Sequence, residues 1–235
     1  MTDDDGRLPL LLLPGLLCDA SLWRHQVTAL SGITAPMVAD LTQDDSVAAM
    51  AARTLAAAPP RFALAALSMG GYVAFEILRQ APERVSRLAL LDTSAAPDSQ
   101  ARAAQRRAAM ESLRLGRFAG VTTRMLPQLV HPRHVRSEVG AEVRVMAARV
   151  GAEAFFRQQQ AILGRPDSRP LLGAIAVPTL VAVGAADVLT PPTEAMEIHN
   201  GIRRSFFHLF QDCGHLPPLE APGEVSNSLR RWLLG

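Results

Sequence analysis

Phe62-Ala-Leu-Ala-Ala-Leu-Ser68-Met69-Gly70-Gly71-Tyr72 is an apolar run that breaks on one hydroxyl and two glycines and then continues as a helical pattern. Apolar residues without polar alternation, bounded by turn signals, read as a strand covered on both faces. A serine on so sharp a strand-to-helix turn projects its hydroxyl above the sheet, because small neighbours let the backbone bend: a nucleophile elbow. The first N–H groups of the following helix face the same spot and suit developing negative charge. The usual spacing is Gly-x-Ser-x-Gly; here Ala66 takes the first position, and alanine is still small enough to pass beneath the turn. On its own, serine followed by two glycines also occurs in ordinary loops.

Two downstream segments sharpen the reading. The apolar strand Thr179–Val183 leads into Gly184-Ala-Ala-Asp187, a carboxylate in a loop at a strand's C-terminal end. The next apolar strand, Ser205–Phe210, leads into Gln211-Asp-Cys-Gly214-His215, with Glu220 and Pro222 following. Ser68 is thus a candidate nucleophile, His215 a candidate base and Asp187 a candidate orienting acid, in the chain order Ser, Asp, His and at one edge of a parallel sheet. Taken singly, a loop aspartate caps turns and a loop histidine is solvated; the order and context of all three favour the catalytic reading.

Further strands are expected at Leu8–Leu13, Thr34–Ala39 and Val85–Leu91, and helices at Leu22–Leu30, Ser46–Ala58, Met69–Gln80, Pro192–His199 and Pro222–Leu233. Alternation of strands and helices predicts a doubly wound α/β sheet. Between Asp92 and about Pro170 the strand signal disappears and helical periodicity takes over. There Val139, Val143, Met146 and Val150 fall at i, i+4, i+7 and i+11 and read as a packing stripe.

Together these residues resemble the α/β-hydrolase superfamily, in particular small bacterial esterase-like members with a helical cap. The resemblance spans nearly the whole chain and rests on Pro14-Gly15-Leu16, the Ser68 elbow, Gly184-x-x-Asp187, and Gly214-His215 with Glu220 and Pro222. It implies a mostly parallel sheet, a core of residues 1–92 and 171–235, and a cap insertion over 93–170. It further implies a Ser68, His215, Asp187 triad with the backbone N–H groups of Leu16 and Met69 as oxyanion donors. Asp92 is the rival acid, since some members place it there. Many members have His-Gly after the first strand where this chain has Pro14-Gly15, so a bracing histidine is absent while the backbone donor need not be lost. Leu17, Met125, Leu126, Phe155, Leu189 and Leu216 are the candidate pocket residues, with Phe118, Leu129 and Phe156 as further apolar positions of the insert.

The implied activity is cleavage of a small carboxylic ester. Lactone opening, thioester cleavage, carbon–carbon hydrolysis and perhydrolysis use the same constellation and stay open. Dehalogenases and epoxide hydrolases of this fold use a carboxylate nucleophile, against which Ser68 argues. A non-catalytic small-molecule receptor is the alternative of another class.

Composition sets outer bounds. A chain of 235 residues, 49% of them hydrophobic, suits one compact domain with one inserted subdomain. No apolar run reaches the roughly 18 residues of a membrane helix, because Pro9 and Pro14 interrupt the leucine-rich start. Residues 1–5 are acidic where a secretory leader would be basic, so a cytoplasmic location is expected. Cys18 and Cys213 read as small buried fillers near the candidate site, and the six histidines form no convincing ligand pair. Neither a Gly-x-Gly-x-x-Gly nor a Walker spacing occurs, so neither metal nor cofactor is expected.

All 24 basic residues are arginine, and residues 101–169 carry 13 of them against 5 acids, while the remainder carries 11 against 17. The surplus on the insert either draws anionic substrates or is a solvated face. One tyrosine and two tryptophans leave too few interleaved aromatics for a nucleic-acid surface. The expected partner is a small-molecule ester, and nothing in the sequence specifies an oligomeric state.

Overall fold

The computed structural model describes residues 6–116, 118 and 120–235; the acidic residues 1–5 lie outside them. In chain order the elements are β1 (Leu8–Leu13), α1 (Arg24–Leu30), β2 (Thr34–Val38), α2 (Val47–Ala57), β3 (Phe62–Leu67), α3 (Met69–Gln80), β4 (Val85–Leu91), α4 (Gln100–Arg114), α5 (Leu126–Leu129), α6 (Glu138–Leu163), β5 (Thr179–Gly184), α7 (Pro192–Gly201), β6 (Ser205–Phe210), α8 (Pro217–Glu220) and α9 (Pro222–Leu234). The strands form one sheet in the order β2-β1-β3-β4-β5-β6, every neighbouring pair parallel. This is the doubly wound α/β fold that the sequence predicts, with all six described strands parallel.

Alternate side chains of the central strands feed two cores. Leu11, Leu13, Leu64 and Ala66 pack with α2, α3 and α7 on one face, while Leu10, Leu12, Ala63, Ala65 and Leu67 pack with α1 and α9 on the other. Coverage of both faces is why these strands are continuously apolar. The expected helix Leu22–Leu30 begins as a 3-10 turn over Ala20–Trp23, because the Asp19 side chain accepts the N–H of Ser21 and tightens the entry. Ser46 caps α2 by accepting the N–H of Ala49.

Between β4 and β5 the chain makes α4, α5 and α6. Helix α6 bends where Gly151 takes φ 80°, a left-handed value that suits glycine. The two ends of the insert close on each other: Ser168 N–H donates to the Ala95 carbonyl at 2.8 Å, and buried Arg165 pairs with Asp98 at 2.9 Å. Several arginines between β4 and β5 reach acids outside that stretch, in the pairs Arg102–Glu194, Arg133–Asp212 and Arg149–Asp19. Part of the basic surplus of residues 101–169 is therefore matched by acids of the remainder of the chain. Among the described residues no helix is long and apolar enough to cross a membrane.

Candidate active site

The turn at Ser68 is strained in the way its sequence context predicts. Ser68 has φ 54° and ψ −116°, rare for a residue with a Cβ, and it sits between the fully buried β3 and the first turn of α3. The conformation is held from outside: Ser68 N–H donates to Leu91 O at 3.0 Å, and Thr93 Oγ1 donates to Ser68 O at 2.7 Å. Glycine is needed at position 70, where a Cβ would lie 2.6 Å from Leu13 O and 2.8 Å from Pro14 O. That close approach brings the end of β1 against the start of α3, and so the Gly15–Leu17 loop beside the serine.

His215 follows β6, two strands from the loop after β4. Its Nε2 lies 2.8 Å from Ser68 Oγ and its Nδ1 2.7 Å from Asp187 Oδ2. Asp187, after β5, is buried and also accepts from Leu189 N–H and Thr190 Oγ1, both at 2.8 Å. Burial alone pushes its carboxyl up, but the His215 charge and the hydrogen bonds from His215, Thr190 and Leu189 outweigh it and hold the carboxyl below the usual range. When the ring is neutral, an ionised Asp187 favours the tautomer with its hydrogen on Nδ1, and Nε2 can then accept from the serine hydroxyl.

The histidine loop is braced by Glu220 and by the insert. The Glu220 carboxylate accepts from Gly214 N–H, Leu216 N–H and, at 2.6 Å, His131 N–H. His215 N–H in turn donates to Leu129 O at 3.1 Å. The loop after β6 and the segment 129–131 of the insert are thus one hydrogen-bonded unit, and Gly214 must lack a Cβ because it would meet Val130 and His131 backbone at 2.7 Å.

Leu16 N–H has no hydrogen-bond acceptor among the described residues, and Met69 N–H, first in α3, has none within its helix. The neighbouring Leu17, at φ 58°, donates its N–H instead to Gln158 Oε1 at 3.0 Å, while Gln158 Nε2 donates to Leu41 O. Gln158 went unrecognised in the sequence: a glutamine in a helical pattern carries no signal for a loop 141 positions away.

Asp92, the rival acid, is fully buried at the end of β4, with φ 45°. Its Oδ1 accepts Gly184 N–H at 2.8 Å and its Oδ2 has no partner among the described residues. Burial first, and the neighbouring Asp187 second, push its carboxyl well above the usual range. Donor atoms of Asp92, Asp187 and His215 lie within 4.8 Å of one another. The His215 and Asp187 atoms are already bonded to each other, which suits proton transfer better than cation binding. Cys18 and Cys213 are buried, and burial pushes both thiols up to about 12. They are held neutral and are not thiolate nucleophiles.

A cavity of about 530 Å³ opens over Ser68 and His215. Leu17, Met125, Phe155, Leu189 and Leu216 line it, along with Leu129. Leu126 does not. It opens α5, and Val130 lies in extended backbone just past that helix; both are buried in the core cluster that holds Val143 and Met146. Val143 and Met146, read from periodicity as packing, line the cavity as well. Phe118 packs on Phe155 with ring centroids 5.5 Å apart.

Residues 10–227 match the model of the Alpha/beta hydrolase family, and the chain belongs to that family. Over 174 residues, 70% of this chain and 68% of the relative, it is 30% identical to a pimeloyl-[acyl-carrier protein] methyl ester esterase of Nitrosomonas europaea. A thermophilic esterase from Thermogutta terrifontis, solved with malate bound, superposes with a TM-score of 0.85 at 32% identity, over 96% of this chain and 89% of that one. The enol-lactonase from Burkholderia xenovorans LB400, at 22% identity, a TM-score of 0.80 and coverage of 100% and 94%, shares the fold.

Proposed function

We propose that this protein is a serine hydrolase that cleaves a small carboxylic ester by acyl transfer through Ser68, His215 and Asp187. The observation that carries the reading is the continuous hydrogen-bonded chain from Ser68 Oγ through both ring nitrogens of His215 to Asp187 Oδ2. Ester cleavage is favoured over other acyl transfers because the two relatives of 30% identity or more described above are both esterases.

In this mechanism Ser68 Oγ attacks the ester carbonyl as His215 Nε2 removes its proton, and Asp187 stabilises the imidazolium that forms. The backbone N–H groups of Leu16 and Met69 receive the negative charge of the tetrahedral intermediate. Collapse expels the alcohol, which takes the proton from His215. Water then repeats the cycle on the acyl-serine, releasing the acid and restoring Ser68. Residues 93–170 act as a cap over the core of 1–92 and 171–235, a division supported by the closure of the insert at Ala95 and Ser168. No membrane or nucleic-acid partner is invoked, and a cytoplasmic site of action accords with this small-molecule chemistry.

A phosphonate or sulfonyl fluoride probe tests the reading. It is expected to add its mass to the peptide containing Ser68, and Ser68→Ala is expected to remove on the order of 10⁶ in turnover. Labelling of another residue, or an active alanine variant, overturns it.

A further inference from the structure

The cavity carries a second group of polar side chains that the ester chemistry leaves unused. Helix α4 turns Arg102, Gln105, Arg106 and Ala109 to it, the i, i+3, i+4, i+7 spacing of one helix face, and Tyr72 and Gln159 complete the group. Tyr72 stands four residues after Ser68 on α3, so it lies about one turn, ~6 Å along the axis, from the serine.

These groups hold more donors than they use. Arg106 spends Nε on Asp98 at 2.6 Å and Nη1 on Gln159 at 2.9 Å, which leaves Nη2 without a partner among the described residues. Among the described residues Arg102 spends only Nη2, on Glu194 at 2.6 Å. The Tyr72 hydroxyl and the Gln105 amide have no hydrogen-bond partner among the described residues. Arg165, whose guanidinium lies 4.2 Å from the Tyr72 ring centroid, adds a third cation. Among the described residues the ion-pair partners of Arg102, Arg106 and Arg165 are Asp98 and Glu194, three cations against two acids, and of these five side chains only Arg102 and Arg106 line the cavity. The Glu194 Oε2 is buried without a partner, but Glu194 does not line the cavity.

We propose that Tyr72, Arg102, Gln105 and Arg106 form an anion subsite, and that the substrate carries a carboxylate joined by a short linker to the ester cleaved at Ser68. This rests on the ester-hydrolase reading above. A monoanion matches a surplus of one charge, and a carboxylate matches the planar donors of arginine; a phosphate dianion would exceed that surplus.

The test compares monomethyl glutarate with its neutral isostere dimethyl glutarate, and butyryl glycolate with methyl butyrylglycolate, so that the carboxylate is placed on either side of the ester. Arg106→Gln leaves Asp98 paired with Arg165, and Tyr72→Phe removes only a hydroxyl. The wild-type protein is expected to prefer a carboxylate-bearing ester. In Arg106→Gln the ratio of kcat/KM for that ester over its neutral isostere should fall about tenfold to a hundredfold, mainly through KM, and in Tyr72→Phe by less. Arg107→Gln, exposed on the same helix and away from the cavity, should leave the ratio in place and so separates the subsite from the general basic field. Equal efficiency on charged and neutral esters, or a ratio unmoved in Arg106→Gln, overturns the proposal. Glutarate titrated calorimetrically into Ser68→Ala, with binding weakened by added Arg106→Gln, reads the subsite without turnover; failure of ester cleavage would therefore not be mistaken for failure of the subsite.

Discussion

His215 Nδ1 lies 2.7 Å from Asp187 Oδ2, although Asp92 ends the adjoining strand and is at least as buried. The difference lies in what else each carboxylate accepts. Asp187 takes donors on both oxygens, from Leu189, Thr190 and His215, whereas Asp92 takes one from Gly184 and leaves Oδ2 without a partner. A carboxylate ringed by donors stays ionised in a dry site; one with a single donor is driven neutral.

Asp187→Asn is expected to lower kcat on the order of 10⁴, because an amide cannot hold the histidine tautomer with Nε2 free to accept. Asp92→Asn should cost less than about tenfold, since the Asn carbonyl can still accept Gly184 N–H. Measured kcat values in the reverse order would transfer the acid role to Asp92.

The raised carboxyl of Asp92 also makes a stability prediction. The native state holds that proton to higher pH than the unfolded chain, so Asp92 costs stability as pH rises above the unfolded value of about 3.9. Below that value the group is protonated in both states and the cost vanishes. Asp92→Asn should therefore raise Tm at pH 7 to 8, by an amount that shrinks towards pH 4. A Tm offset that is constant with pH would show that charge is not the cause.

Glu220 is the acceptor for three backbone N–H groups at the histidine loop. Glu220→Gln replaces one acceptor oxygen by a donor facing those N–H groups. A loss of about 1–3 kcal/mol in denaturant unfolding is expected, together with a fall in kcat as Gly214, His215 and the 129–131 segment loosen together. Wild-type stability and kcat in this variant would show that the loop is set by its other contacts.

Gln158 should matter to the acylation step without touching the serine. Gln158→Leu leaves Leu17 N–H and Leu41 O unpaired in the interior. The rate of Ser68 phosphonylation should drop about tenfold as the Leu16 N–H loses its fixed direction, if that N–H receives oxyanion charge. An unchanged phosphonylation rate would remove Leu16 from the oxyanion role.

The sequence by itself determined the six strands, the five longer helices outside residues 93–170, their order, and the position of Ser68, Asp187 and His215 in turns directly after strands. Each of these depends on a local pattern: six apolar residues in β3, a turn that only small neighbours allow, and a loop directly after a strand. Only the tertiary structure decided which aspartate faces His215, that Leu126 turns inward while Val143 and Met146 line the cavity, and that α6 breaks at Gly151. It alone brought Gln158 to Leu17 and Arg102 and Arg106 to the same cavity as Ser68. Those outcomes are set by contacts between residues tens to more than a hundred positions apart, and periodicity records which face of a helix is apolar but not what that face meets.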